Sequence, residues 1–337
     1  MKIGYKIAGL AFATLTLTTM LTLGSTTSAF SAVELKLGHF ASDTHPCGIA
    51  AVQFKTNVEK RTNGEVKIAI FGNNALGNPP EVLEQVIMGA VDMSLSGQDQ
   101  LAKHLPFYDV ISTPFAFKDY ATADKVIDGE FKAWATPELL KKNLVHLSDW
   151  EWGFRQLTNS IKPIIVPADL KGMKIRTPPA FAYQAFVEAA GGNAQTIAFA
   201  ELVMAMKQGV VDGQENPIGT IYDLKLYETQ KYMSILNYTY SSNVNVINKK
   251  SWDKLTPEQQ KIVSEESNNA AKFARKLLRD NEAIQLKDLE TNKGIIVSRP
   301  DLGPWKAAMG PAWDKVKARV GADNFKRFME IAEKASI

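Results

Sequence analysis

The first third of the chain alternates between strand-like and helix-like segments. Residues 33–39 (VELKLGH) alternate apolar and polar positions, and Pro46 opens an amphipathic helical segment that runs to Arg61. After a turn at 62–64, the strand-like EVKIAI is followed by a Gly/Asn/Pro loop, the helical EVLEQVIMGA and the strand-like VDMSL. This βαβαβ order predicts a parallel sheet with helices on its faces.

The same order of elements returns in the middle of the chain. Residues 201–213 (ELVMAMKQGVVDG) overlay residues 81–93 (EVLEQVIMGAVDM) at a constant offset of 120 positions, and a Glu, a Gly, a Val and an Asp coincide. A strand, a proline-started helix and a Gly-containing turn precede each copy. The repetition predicts two similarly built α/β lobes.

A long helical segment without proline or glycine follows Pro257 and continues to Gly294. Thr256 is the predicted N-cap, and Pro257 takes the first helical position. The segment is longer than an ordinary globular helix, which predicts that it spans both lobes. Residues 241–252 (SSNVNVINKKSW) are interpreted as a strand of the hinge between the lobes.

The N-terminus has the composition of an export signal. MKIGYK is basic, the next segment is apolar, and STTSAFSA supplies small residues, so we expect cleavage after Ser31; an uncleaved membrane anchor is the alternative. Without residues 1–31 the formal net charge falls from +3 to +1, which argues against nucleic acid or anionic membrane as partner. Cys47 is the only cysteine, so no intramolecular disulfide can form. Export without disulfides favours the bacterial periplasm.

Sequence signatures of catalysis are scarce. The chain has no GxxxxGK[ST], GxSxG, HExxH or CxxC motif. Residues 251–254 match S-x-x-K, but the companion motifs of the serine acyl-enzymes are missing. We therefore expect no catalytic residue, no cofactor and no enzymatic activity.

One short segment, HFASDTHPC, concentrates residue types that bind metals. Its four candidates have spacings that match no zinc pattern: His39, Asp43, His45 and Cys47. We interpret Asp43 or Thr44 as the N-cap of the helix that Pro46 begins, with Cys47 buried in the first turn. No metal site is expected.

Three polar residues are predicted at the ends of strands. Arg176 closes DLKGMKIR one residue before two prolines, Arg155 closes SDWEWGFR, and Asn216 follows the second Gly-x-Val-Asp segment. Open α/β sheets bind ligands at the carboxyl ends of their strands, and two arginines with few local acids suit a carboxylate or phosphate. The alternative is that each arginine pairs with a structural acid, and the pattern alone leaves both possibilities open.

Aromatic residues are frequent near these positions. Strict alternation places Trp152 on the same face as Phe154 and opposite Arg155, which leaves the role of Trp152 open. Aromatic rings suit the faces of sugars and aromatic acids alike. The candidates are Trp150, Trp152, Phe154, Tyr183, Phe199 and Tyr222.

Several of these segments resemble one protein family. FRQLTNS…PIIVPADLKGMKIRTPPA, IAFAELVMAMKQGVVDGQENP and LKLGHFASDTHP are similar, in order and spacing, to the solute-binding proteins of tripartite ATP-independent periplasmic (TRAP) transporters. The resemblance runs from about residue 33 to the C-terminus. It implies an α/β type II periplasmic-binding-protein fold, with two lobes joined by hinge strands and a long helix that crosses both.

The resemblance also implies roles for individual residues. Arg176 matches the arginine that binds the ligand carboxylate, Arg155 a second arginine near the ligand, and Asn216 an asparagine that supports the grip on the carboxylate. Phe199 matches an aromatic residue that packs on the ligand. Asn78 and the 96–99 segment, which includes Gln98, align with first-lobe positions that vary among family members and set ligand specificity. Trp152 is a further candidate for ligand binding.

The function that follows is capture of a small carboxylate, such as a uronate, an aldonate or a C4-dicarboxylate, and its delivery to small and large membrane permease subunits. An aromatic or amino-acid-like acid is the first alternative, and an exported enzyme on the same scaffold is a distant one. We expect a periplasmic protein, as a monomer, with a signal peptide at 1–31. Lobe I is predicted at 32–153 plus about 242–285, and lobe II at 154–241 plus about 286–337.

Overall fold

The computed structural model describes residue 1 and residues 32–337, so the predicted signal peptide lies outside the described residues. The strands are β1 Val33–Gly38, β2 Val66–Phe71, β3 Met93–Gly97, β4 Leu144–Asn159, β5 Lys174–Thr177, β6 Asn193–Thr196, β7 Gly213–Pro217, β8 Tyr232–Ser234, β9 Tyr240–Asn248 and β10 Ile296–Ser298. The helices are α1 Pro46–Arg61, α2 Pro79–Met88, α3 Gln98–His104, α4 Tyr120–Lys125, α5 Phe131–Leu140, α6 Phe181–Ala189, α7 Leu202–Lys207, α8 Ile218–Asp223, α9 Lys249–Trp252, α10 Pro257–Thr291, α11 Leu302–Ala308, α12 Gly310–Val320 and α13 Ala322–Ala335.

The strands form one sheet with two halves of similar build. The order is β2-β1-β3-β9-β4-β7-β5-β6, with β8 pairing to β4 and β10 to β8. The neighbours β1, β2 and β3 are parallel in one half, as are β5, β6 and β7 in the other. The long strands β9 and β4 connect the halves: β9 is antiparallel to β3, β4 is antiparallel to β7, and β4 and β9 are antiparallel to each other. The two-lobed α/β fold with hinge strands is therefore confirmed.

The internal repeat has a structural counterpart. Asp92 accepts a hydrogen bond from the backbone N–H of Lys36 in β1, at 2.8 Å, and Asp212 accepts one from Lys174 in β5, at 2.7 Å. Asp92, directly before β3, thus links β3 to β1. Asp212, directly before β7, links β7 to β5 in the same way. The two halves use the same residue for the same contact.

Element boundaries differ from the sequence prediction by a few residues. Helix α2 begins at Pro79 rather than at 81, because proline fits the first helical turn, where no hydrogen-bonding N–H is needed. It ends at Gly89, whose φ of 83° lies in the left-handed region. Strand β3 consequently starts two residues later than predicted.

Helix α10 is the long helix that the sequence predicts, with 35 residues and a length of about 52 Å. Thr256 caps it, since its hydroxyl accepts from the N–H of Gln259 while the Gln259 side chain accepts from the N–H of Thr256. Its N-terminal half packs with Phe54 in a core of the first lobe, and Leu289 near its end packs with a core of the second lobe. The helix therefore spans both lobes.

The last helix, α13, packs against the first lobe, whereas Trp305 of α11 packs in a core of the second lobe. Phe328 of α13 packs in the same core as Phe107, Phe131 and Phe154. The predicted residue ranges of the lobes remain a prediction, and this packing argues against placing the last helix in lobe II. Within residues 32–337, none of the helices combines the length and apolarity needed to cross a membrane.

Candidate functional site

A cavity lies where the two halves of the sheet meet. Its empty volume is about 420 Å³, including the part that is open to solvent. Polar and aromatic side chains from both lobes line it, together with backbone and proline surfaces. The lining residues are Phe40, Pro79, Gly97, Asp99, Gln100, Trp152, Arg155, Arg176, Pro178, Tyr183, Phe199, Asn216, Ser241, Ser242 and Asn243.

Arg176 reaches this cavity from β5 and is fully buried. Its Nε donates to the carbonyl oxygen of Ile197 at 3.0 Å, but neither terminal nitrogen has a hydrogen-bond partner among residues 32–337. Burial lowers the pKa of Arg176 to about 10; Glu215 opposes this fall and Arg155 adds to it. A buried guanidinium with two free donors is a site for an anion that binds in a bidentate manner.

Arg155 lines the same cavity but has a full set of partners. Its guanidinium forms an ion pair with Glu215 through two nitrogens, and it also donates to Asn216 at 3.1 Å and to Ser241 at 3.3 Å. The guanidinium carbon lies 4.6 Å from the centre of the Tyr183 ring. Burial lowers the pKa of Arg155, yet the Glu215 carboxylate more than offsets this effect and raises it above its ordinary value.

The structure therefore corrects two expectations about Arg155. The residue lies inside β4, opposite Pro217 of β7, rather than at the end of a strand. It also has a structural acid as partner, because Glu215 sits diagonally across the antiparallel ladder on the same face. The alternative of structural pairing is correct for Arg155 and wrong for Arg176.

Asn216 lies at the carboxyl end of β7, as predicted, and is buried. Its side-chain oxygen accepts from Arg155, and its amide donates to Gln214 at 2.5 Å. Arg155, Arg176 and Asn216 thus meet in one cavity, as the sequence predicts. Asn216 holds Arg155 in place as well as facing the cavity.

Trp152 lines the cavity together with Arg155, although simple alternation would place them on opposite faces. The pairing of β4 with β9 shifts register between Glu151 and Gly153, and Trp152 is the extra residue of this bulge. Gly153 has a φ of 111°, which other residues rarely adopt. Phe154 turns the other way and packs in the core of the first lobe.

Phe199 and Trp152 form an aromatic wall with Phe40. The centre of the Phe40 ring lies 4.7 Å from the ring centre of Trp152 and 5.2 Å from that of Phe199. The wall separates the cavity from a second one, which is lined by polar residues that include Ser42, His45, Asn73, Asn74 and Asp223. Phe199 thus lies where a ring could pack on a bound molecule.

Asp223 joins the two lobes beside the second cavity. It ends α8 in the second lobe, and its carboxylate accepts from the hydroxyls of Ser42 and Thr44, each at 2.6 Å. Both hydroxyls belong to the loop after β1 in the first lobe. These contacts hold the lobes together on the far side of the aromatic wall.

Two of the predicted residues are not in the main cavity. Gln98 is buried and fully engaged, since it donates to Ser112 and to the carbonyl of Tyr240, both at 2.9 Å, and accepts from Ser242. It anchors the start of α3. Asn78 precedes α2 and lines a neighbouring cavity, which shares Asp99 and Phe199 with the main one.

The HFASDTHPC segment is held by protein contacts. His45, rather than Asp43 or Thr44, caps α1 by accepting from the N–H of Cys47, and its ring stacks on Trp152 with centres 4.0 Å apart. Burial raises the pKa of the Cys47 thiol to about 12. Within residues 32–337, no group of three or more His, Cys, Asp or Glu side chains is arranged to hold a metal ion.

Several lining residues were missed at the sequence level. Phe40 and Gln100 carry no local signal, and Glu215 lies in a segment where only Asn216 was singled out. Gly153 was an available signal, because a glycine inside a strand often marks a bulge. Ser241, Ser242 and Asn243 were recognised only as a hinge strand.

The chain matches the family described as bacterial extracellular solute-binding protein, family 7, over residues 37–319. It is 35% identical over 284 residues to the 2,3-diketo-L-gulonate-binding periplasmic protein YiaO of Escherichia coli K12, covering 84% of this chain and 87% of that protein. It is 30% identical over 300 residues to the C4-dicarboxylate-binding periplasmic protein DctP of Rhodobacter capsulatus, covering 86% and 88%.

A solved structure supports the same relationship. The TRAP periplasmic solute-binding protein of Sulfitobacter sp. NAS-14.1, with bound β-D-galacturonate, superimposes with a TM-score of 0.85 at 30% identity and covers 89% of this chain and 99% of that one. The fold and the sequence agree over almost the whole described part of the chain. The protein belongs to the family 7 bacterial extracellular solute-binding proteins, the solute-binding components of TRAP transporters.

Proposed function

We propose that this protein captures a small carboxylate in the interlobe cavity and delivers it to the membrane permease subunits of a TRAP transporter. The observation that carries the proposal is Arg176, which is buried at the cavity wall with both terminal nitrogens free of partners within residues 32–337. Relatives that bind 2,3-diketo-L-gulonate, C4-dicarboxylates and galacturonate support a carboxylate as ligand.

Binding is coupled to closure of the lobes by the charge of Arg176. In an open cleft the guanidinium is hydrated, whereas in the closed cavity it is buried and needs an anion to offset the lost hydration. A ligand carboxylate supplies two acceptors in the plane of the guanidinium. The closed form is thus stabilised by ligand, and the ion pair with Glu215 keeps Arg155 from competing for the same carboxylate.

The remaining lining suits a polar solute with one apolar face. Phe40, Trp152 and Phe199 offer a wall for the C–H face of a sugar or for an aromatic ring. The rest of the lining binds and positions, and the function is binding without turnover. Export through a cleaved signal at 1–31 would place the protein in the periplasm, in the path of the solute.

The test begins with a thermal-shift screen of the mature protein against galacturonate, glucuronate, galactonate, erythronate, succinate and benzoate. Titration calorimetry with each stabilising acid then compares wild type with R176A and R176K. Losing a desolvated charge pair costs about 2–5 kcal/mol, so we expect R176A to weaken binding roughly 30-fold to several thousand-fold. R176K should fall between, since lysine keeps the charge but loses the planar fork.

The matched control is R299A. Arg299 is exposed and forms an ion pair with Glu290 at 2.8 Å, outside the cavity. This variant removes the same charge and should bind as wild type does. Unimpaired binding by R176A, or chemical conversion of the stabilising acid during the titration, would show that the proposal is wrong.

A further inference from the structure

Asp99 faces the main cavity from the first lobe. It lies in the first turn of α3, directly after β3, and it lines both the main cavity and the neighbouring one. Both carboxylate oxygens accept from Nε2 of Gln100, at 3.1 and 3.0 Å. Within residues 32–337, no lysine, arginine or histidine nitrogen lies within 4.0 Å of the Asp99 carboxylate.

Asp99 and Arg176 approach the cavity from opposite lobes. Their strands, β3 and β5, are separated in the sheet by β9, β4 and β7. A molecule in the cavity therefore meets a free cation on one side and a carboxylate without a cationic partner on the other. Arg155 forms its ion pair with Glu215 and acts on Asp99 only at longer range, where it lowers the pKa of Asp99 against the larger, opposite effect of burial.

We infer that Asp99 makes the site selective for acids with a single carboxylate whose other end carries hydrogen-bond donors, and that it rejects dicarboxylates. The inference rests on the proposed function, since it takes Arg176 as the partner of the ligand carboxylate. Asp99 is then a specificity-determining residue of the first lobe. The favoured ligands are polyhydroxy monocarboxylates, namely aldonates and uronates.

The physical reason is the sign of the charge. A second ligand carboxylate near Asp99 would place two negative charges side by side in the main cavity, where Arg155 and Arg176 are the only cations among the described lining residues, and such like-charge contacts are a strong source of discrimination. A hydroxyl group instead donates to Asp99. A carboxylate offers about four acceptor positions, and Gln100 occupies two of them, so capacity remains for ligand donors.

The neutral part of the lining favours hydroxyl groups as the donors. Ser241, Ser242, Asn243, Asn216 and Gln100 carry groups that both donate and accept, and a ligand hydroxyl can do the same. An ammonium group only donates, and Asp99 alone could balance its charge. Both donor types are compatible with the selectivity, and the experiment separates them.

The experiment compares acids that differ in a single end group. The pairs are galactonate with galactarate, and erythronate with meso-tartrate; in each pair the second acid replaces a terminal CH₂OH by a carboxylate. 6-Aminohexanoate tests an ammonium donor. Affinities are measured by titration calorimetry on the mature wild-type protein and on D99N, R176A and the exposed-site control D314N.

For wild type we expect at least one monocarboxylate to bind at least 50-fold more tightly than its dicarboxylate partner. D99N removes the negative charge but keeps the size of the side chain, so it should reduce that ratio at least tenfold, mainly by admitting the dicarboxylate. D314N loses one negative charge from an exposed position of α12 and should leave the ratio unchanged. Stronger binding of 6-aminohexanoate than of the hydroxy acids would identify an ammonium as the donor; it would support the rejection of dicarboxylates by Asp99 and contradict the preference for polyhydroxy acids.

Three results would overturn the inference. They are a wild-type preference for a dicarboxylate, a ratio that D99N leaves unchanged, and failure of every monocarboxylate to bind. The variant R176A distinguishes failure of the proposed function from failure of the role of Asp99. If R176A abolishes binding while D99N leaves selectivity intact, the proposed function stands and only the role of Asp99 fails; if R176A binds normally, the proposed function fails.

Discussion

Arg155 and Arg176 face the same cavity, come from neighbouring regions of the sheet and are both buried, yet their guanidiniums have opposite surroundings. Arg155 has a carboxylate, an amide, a hydroxyl and an aromatic ring around it. Arg176 has one backbone carbonyl as acceptor, and its two terminal nitrogens have no partner in the described part of the chain. Burial of a charge is costly. Arg155 meets that cost with partners within the protein, and our proposal is that Arg176 meets it with a ligand.

The difference teaches how to separate structural from functional arginines. The pKa of Arg155 is raised by Glu215 despite burial, whereas burial lowers that of Arg176 to about 10. The pKa is therefore shifted at both arginines, but of the two only Arg176 has hydrogen-bond donors without a partner among the described residues. The useful criterion is the number of hydrogen-bonding groups that the protein leaves unsatisfied, more than the position of the arginine in the cleft.

The largest effect should come from breaking the Arg155 pair. R155M leaves Glu215 buried without its cation, and removing one partner of a buried ion pair costs about 3–5 kcal/mol of unfolding free energy. Urea unfolding of the ligand-free mature protein measures this. The double variant R155M/E215M should recover most of the loss, because neither charge is then stranded. Equal stability of R155M and wild type would show that the pair is not structural.

A smaller effect is expected from acid, and it should arise away from both arginines. Burial lowers the pKa of His39 and of His45 to about 4, so between pH 6.5 and 4 the unfolded state binds more protons than the folded state. The stability that these neutral histidines provide is complete above pH 6.5 and is lost on acidification. Asp109 opposes the trend, since burial raises its pKa to about 6.

We expect the melting temperature of the ligand-free protein to fall by a few degrees, about 2–4 °C per kcal/mol, between pH 7 and pH 5. The variant H39Q/H45Q should have a flatter pH profile, whatever its absolute stability. A profile in the double variant as steep as that of wild type would mean that other groups control the acid sensitivity.

The smallest effect should come from Arg176 in the absence of ligand. R176M removes a cation that has no carboxylate partner, so the unfolding free energy should stay within about 1 kcal/mol of wild type, or rise. The same urea measurement, repeated with a saturating acid, should stabilise wild type and leave R176M unaffected. A loss of 3 kcal/mol or more in ligand-free R176M would assign Arg176 a structural role like that of Arg155.

Much of the fold was predictable because it depends on patterns within short stretches of the sequence. The boundaries of α1 and α10 follow from proline at the first helical position and from caps next to it, and the repeat around Asp92 and Asp212 predicts two similar halves. The hinge strand was predicted at 241–252; β9 covers Tyr240–Asn248, and the last four residues of the predicted strand form α9. These features depend on residues close together in sequence, which a single sequence displays.

The site was predictable only in part, because its contacts join distant positions. Arg176 and Asn216 were found at strand ends, but the partner of Arg155 lies 60 residues away and depends on antiparallel register. Trp152 was uncertain because one bulge at Gly153 reverses its face. In the 96–99 segment Gln98 was chosen over Asp99, and only the direction of the α3 helix shows which of them faces the cavity.

The link between Asp223 and the hydroxyls of Ser42 and Thr44 has a kinetic consequence. Because the contact joins the lobes beside the cavity that Arg176 lines, we expect a molecule bound there to leave by separation of the lobes. Its residence time is then limited by the rate of opening, and substitutions in the lining alter affinity mainly through dissociation. Weakening the contact of Asp223 would therefore shorten the residence time of every ligand alike, whatever the chemical identity of the ligand.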